Sequence, residues 1–200
     1  ALALRPRTPV KTVAEVRRQL LERLGVWMVN RRIEQRIREG TAPYQRANVR
    51  QGVFLGTTEQ LNASAEAAPA AWAETLTALI TDVQRARLHG FADQELAMAT
   101  SATLASAEHT AQTESTQDAL VFIRAMNRAV SLGEQPLSAA QQVELLQQLL
   151  PGITSAEVSA IITTAAASLR DSSRQTAATS ASGTTPPRSV ASNLRCRAKP

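Results

Sequence analysis

Apolar residues recur with a helical period through the first part of the chain. Val13, Val16, Leu20, Leu24 and Trp27 return every three or four positions, and Leu21, Met28, Ile33 and Ile37 widen the stripe until Gly40 ends it. That spacing predicts one long amphipathic helix. Thr12 and Glu15 mark its start, because the Thr hydroxyl can accept from the Glu15 amide while the Glu15 carboxylate takes the Thr12 amide. Gly25, in the helix interior, costs about 1 kcal/mol relative to Ala. A second backbone is therefore expected to pass close to it.

After Gly40 the period changes. Residues 44–56, YQRANVRQGVFLG, and 57–68, TTEQLNASAEAA, read as two strands, the second with Leu61, Ala63 and Ala65 on one face and Asn62, Ser64 and Glu66 on the other. A two-stranded hairpin is marginal alone, so more strands are expected, from this chain or from outside it. Helical spacing then returns. Trp72, Leu76, Leu79, Ile80 and Val83 form one stripe, and Arg85, Arg87 and His89 precede Gly90 as a helix C-terminus prefers. Asp93 is placed to cap the next helix, with Leu96 and Leu104 on its buried side. Leu120, Ile123, Met126, Asn127 and Val130 define another, which stops at Gly133. Ser138 with Gln141, and Thr154 with Glu157, are two further capping boxes, each opening a helix.

Composition narrows the core. Of 200 residues, 44% are hydrophobic and only 3% aromatic, so the interior is expected to be Leu, Ile, Val and Ala carried on helices. Charge is segregated. Residues 1–50 hold twelve Lys/Arg against four Asp/Glu, residues 51–169 four against twelve, and residues 170–200 six against one. A basic segment can grip nucleic acid or an anionic membrane, and it can equally dock on the acidic body that follows it. Residues 171–200 are Ser, Thr, Ala, Pro and Arg with few large apolar side chains, the composition of a disordered or unrelated tail. The opening ALALRPRTPV has neither an initiator Met nor a signal-peptide apolar core, as expected of an internal piece of a longer protein.

Candidate chemistry is sparse. The lone Cys196 permits no internal disulfide and no thiolate zinc site. There are two histidines. His89 beside Gly90 reads as a cation at a helix C-terminus. ASAEH, residues 105–109, ends like the inverted zinc motif H-x-x-E-H, but Ala105 stands where the first ligand should be, leaving Glu108 and His109 as an exposed helical turn. No nucleophile elbow, P-loop or G-x-G-x-x-G is present.

The order of these pieces resembles the insulinase/pitrilysin family of zinc metallopeptidases. The resemblance runs from about residue 9 to residue 168. It is carried by WMVNRRIEQRIREGTAPY, with Val29 to Ile33 standing for a family L-N-x-R-L run, by HGF-x-x-x-E-L from His89 to Leu96, and by LLP-x-I-T-x-x-E-V from Leu149 to Val158. It implies an α+β fold, a small antiparallel sheet packed by several long helices and helix-dominated. Residues 10–169 would be a partial non-catalytic domain, with residues 1–9 a lead-in that lacks the first strands of such a domain. The family forms a clamshell whose other half carries zinc, so this chain would hold no cofactor and zinc would sit in the catalytic domain of the intact protein. Its implied partners are that catalytic domain, on the same or another polypeptide, and a peptide substrate. In some members an Arg and a Tyr at the end of the long helix contact the substrate backbone. The matching positions are Arg38 and Tyr44, whose guanidinium and phenol can donate to peptide carbonyls. Bacterial members imply a periplasmic location.

A second reading is a helical scaffold or nucleic-acid-binding protein that uses residues 1–50. The strands between Tyr44 and Glu66 separate the two, since a helical scaffold has no use for them.

Overall fold

The computed structural model describes residues 1–164. The tail expected at 171–200 lies outside the described residues. Strand β1 (Leu2–Pro6) leads into α1 (Val13–Arg38), the hairpin β2 (Arg46–Phe54) and β3 (Thr58–Glu66), and then α2 (Trp72–His89), α3 (Asp93–Thr113), α4 (Ala119–Leu132) and α5 (Ala139–Leu149). A last helix, α6, occupies Ser155–Thr164. The result is an α+β fold dominated by helices.

The sheet is antiparallel throughout, with β3 between β1 and β2. The additional strand that the hairpin needed comes from the chain's own first residues. Leu2–Pro6, read as lead-in, pairs with β3 from Leu2 opposite Asn62 to Pro6 opposite Thr58. Nothing in its five residues signals a strand by alternation alone, and pairing with β3 supplies what local preference does not. Register places Ala3, Val49 and Ala63 on the inner face, all buried. That face packs on α1.

Both ends of α1 follow the sequence. Thr12 and Glu15 form the expected reciprocal cap, and Leu20, Leu21, Leu24, Met28, Val29 and Ile33 are buried. Val13 is exposed, so the stripe begins a turn later than its spacing suggested. At Gly25 the close neighbour is a side chain and not a backbone: a Cβ there would lie 2.3 Å from Ile162 Cγ1 and 3.3 Å from Val158 Cγ1 of α6. The missing side chain lets α6 lie against α1.

One expectation is revised, and two apolar stripes are covered unevenly. The cap of α3 is Ala92, one residue before Asp93, with Glu95 accepting from the Ala92 amide at 2.9 Å. Asp93 instead accepts from Ser155 Oγ at 2.6 Å, tying α3 to α6. On α2 the buried face is Thr75, Leu79, Asp82, Val83 and Ala86, and Trp72 is exposed. The apolar stripe of α4 is not buried: Leu120, Ile123, Met126 and Val130 all face outward, and only Ala129 and Leu132 of this helix are covered. The capping boxes at Ser138 and Thr154 form as expected.

Candidate functional site

The C-terminal half of α1 gathers the residues that carry the sequence motifs. Asn30 turns its amide onto β2, donating from Nδ2 to the Val49 carbonyl at 2.8 Å and accepting from the Val49 amide at 2.7 Å. Two residues on, Arg32 forks onto Glu95, with Nε to Oε1 at 2.6 Å and Nη2 to Oε2 at 2.7 Å, and Nη2 also reaches the Gly90 carbonyl at 2.8 Å. Its guanidinium lies 4.8 Å from the Phe91 ring centroid, a cation–π contact. This bidentate pairing outweighs the opposing effect of burial and holds the Glu95 carboxyl below its ordinary pKa.

Gly90 is fixed for two reasons. Its φ of +64° is a region L side chains rarely adopt, and a Cβ would stand 2.7 Å from Ser159 Oγ. That hydroxyl accepts from the Phe91 amide at 3.0 Å. The HGF-x-x-x-E-L run thus ties four helices together, α1, α2, α3 and α6.

Tyr44 and Arg38 part company. Tyr44, 3% exposed, donates its hydroxyl to Asp82 Oδ2 at 2.5 Å. Asp82, buried on α2, is also paired with the Arg36 guanidinium, whose Nη2 reaches the Thr41 carbonyl at 2.9 Å. Burial first, then the Asp82 carboxylate, push the Tyr44 phenol well above its ordinary pKa. Arg36 is raised, chiefly by its hydrogen bond to Asp82. Arg38 projects to solvent, with Glu34 Oε2 4.0 Å away. The arginine that shares Asp82 with Tyr44 is Arg36. Asp82 was legible: it sits three residues after Leu79 and four before Ala86, on the stripe that buries α2, where a carboxylate needs a cation.

A second cluster lies under the sheet. Glu22 and Glu59 are buried, and Arg5 bridges them, Nη2 to Glu22 Oε1 at 2.6 Å and Nε to Glu59 Oε2 at 2.6 Å. Arg18 Nη1 adds a bond of 2.7 Å to Glu22, and Gln51 takes the other Glu22 oxygen. Burial works against the Arg5 charge, and the two carboxylates outweigh it and leave the pKa raised. A cavity of about 250 Å³ adjoins them, with Ala3, Val26, Leu61 and Ile162 in its wall. Every charge beside it already has a partner of opposite sign.

His89 and His109 are exposed on different helices, and among the described residues no group of three His, Cys, Asp or Glu is placed to hold a metal. Nor is any single described helix long and apolar enough to cross a membrane.

The fold is that of insulinase-family proteases. Over 84% of this chain it superposes on the first half of the periplasmic protease PqqL of Escherichia coli, at 17% identity and a TM-score of 0.77. A predicted insulinase-family protease of Yersinia pestis matches over 83% of the chain at 14% identity and a TM-score of 0.73. The ferredoxin protease FusC, in complex with Arabidopsis ferredoxin, matches over 84% at 16% identity and a TM-score of 0.63. The chain spans 36% of the PqqL half and of the Yersinia protein, and 19% of FusC. No family profile and no curated protein matches it in sequence.

Proposed function

We propose that this chain is the non-catalytic, substrate-enclosing half of a zinc-dependent metalloendopeptidase. The zinc would be held by a catalytic domain on the same or a partner polypeptide. The observation that carries this reading is the protease fold over 84% of the chain, in a molecule whose described donors assemble no metal cluster. Periplasmic placement is part of the proposal, supported by the stated location of PqqL.

Within this half, Arg38 and Tyr44 take different parts. Arg38, at the end of α1 with its guanidinium in solvent, offers donors to a peptide carbonyl. Tyr44, buried and bonded to Asp82, anchors the segment that follows α1.

The test is zinc content together with EDTA-sensitive cleavage of fluorogenic peptides, on this chain and on the natural-length polypeptide. Zinc and cleavage should appear only with the longer protein. Stoichiometric zinc on the 200-residue chain, or no zinc on either, would overturn the proposal. In the longer enzyme Arg38→Ala should raise KM about tenfold, the worth of one charge-assisted hydrogen bond of ~1.4 kcal/mol. An unchanged KM would remove Arg38 from the substrate path.

A further inference from the structure

Helix α4 has the composition of a core helix and the environment of a surface one. Leu120, Phe122, Ile123, Met126 and Val130 are exposed along one side of it, Val130 to 78%, and among the described residues no other helix or strand packs along its length. Isolated exposed apolar residues need no explanation, but a continuous face of this kind marks an interaction surface.

The helix is nonetheless held firmly at its ends. Asp118 caps it, accepting from the Leu120 amide at 2.7 Å. At the other end Gly133 closes it in the left-handed conformation, and the buried Arg7 donates to the Leu132 carbonyl at 2.7 Å and pairs with Glu134. The tip of the β2–β3 hairpin adjoins it, since a Cβ on Gly56 would lie 4.0 Å from the Ser131 carbonyl. That tip adds Phe54 and Leu55 to the apolar surface. Leu55 is 80% exposed and has a φ of +51°, a conformation a branched apolar residue rarely adopts.

We infer that the apolar face of α4, with the hairpin tip beside it, is the docking surface for another folded domain of the same protease, one presenting an apolar centre and an acidic rim. The inference rests on the reading of this chain as one domain of a larger peptidase. Size and charge choose this occupant. The structurally similar chains are about three to five times longer than the region matched here, so they carry further folded mass that such a face would meet. Between Ala119 and Leu132 the only charges are Arg124 and Arg128, which call for acidic groups opposite. A second copy is disfavoured, because pairing α4 with itself about its midpoint sets Arg124 and Arg128 against the same residues. Residues 170–200, with six Lys/Arg to one acid, repel it in the same way.

The experiment places a single thiol on this face. In a Cys196→Ser background, Val130→Cys or Met126→Cys is labelled with maleimide in the 200-residue chain at low micromolar concentration and in the natural-length polypeptide. Ser101→Cys, exposed on α3, serves as the control site. The α4 thiols should react as fast as the control in the short chain and at least about tenfold slower in the long one, while the control stays fast in both. Equal rates in the two proteins would overturn the inference. So would protection in the short chain that grows with its concentration, which indicates a second copy, or protection that vanishes when the chain ends at Thr164, which indicates residues 165–200. Protection of the short chain only on anionic phosphatidylglycerol vesicles would identify a membrane surface and overturn it as well. Labelling reads packing and not turnover, so an inactive natural-length protein with a protected α4 would sink the peptidase reading and leave the docking surface standing.

Discussion

Arg32 holds α1, the α2–α3 turn and the start of α3 in one position by forking onto Glu95 and reaching the Gly90 carbonyl. Asn30 does the same for β2 through both atoms of its amide. These are the residues that gave the sequence its resemblance to a peptidase family, and their work is structural. A motif of this kind reports a fold reliably because its spacing is imposed by a fixed contact, and it says nothing of chemistry. Tyr44 is likewise held by a fixed contact, to Asp82, and it allows a direct measurement because it is the chain's single tyrosine. Its folded pKa is raised above 10.0 by burial and by Asp82. As pH rises past about 10 the unfolded chain loses the phenolic proton first, so the stability contributed by the neutral phenol is complete below that pH and declines above it. Phenolate absorbance should stay absent in the folded chain at pH 11 and appear when denaturant unfolds it. Asp82→Asn should bring the midpoint down towards 10. A folded wild-type chain titrating normally near 10 would show that the Tyr44–Asp82 bond does not persist in solution.

At the scale of elements, what could be read depended on whether a pattern was local. The caps at Thr12, Ser138 and Thr154 involve residues three apart, and all three form. β1 was missed because a short strand ending in proline is defined by the partner it pairs with. α4 was read correctly as a helix ending at Gly133, but its exposure was not legible, because periodicity tells which face is apolar and not whether anything covers it. Gly25 was legible as a close approach, although the approaching group is Ile162 of α6. Helix preference alone would make Gly25→Ala stabilising by about 1 kcal/mol. The overlap with Ile162 should reverse the sign, for a net loss of about 1–3 kcal/mol in urea unfolding. Adding Ile162→Ala should recover part of that loss even though it shortens a buried side chain, which makes the pair non-additive. A simple sum of the two single effects would mean that α6 does not lie against α1 at this point.

Across the whole molecule, the segregation of charge is a consequence of assembly. The basic first quarter wraps an acidic body: Arg7 meets Glu134, Arg17 meets Glu157, Arg32 meets Glu95 and Arg36 meets Asp82. Cations spent in this way are not free to follow a phosphate backbone, which weakens the nucleic-acid reading of residues 1–50. The same arrangement sets the response to acid. Glu95 is lowered chiefly by its hydrogen bond to Arg32, and Glu157 by the Thr154 amide and then Arg17. Below the ordinary carboxylate value of about 4.5 the unfolded chain takes up these protons before the folded one does, so stability is fully present above that pH and is lost as pH falls towards the folded values. The urea midpoint should therefore hold steady from pH 7 to pH 5 and drop between pH 4.5 and pH 3. Glu95→Gln should lower the unfolding free energy at pH 7 by about 1–3 kcal/mol, the cost of an Arg left without its bidentate carboxylate, and should make the acid slope shallower. The two effects must appear together, because one carboxylate produces both. A variant that lost stability at pH 7 but kept the full acid slope would assign the acid response to other groups and leave the Arg32–Glu95 fork as packing alone.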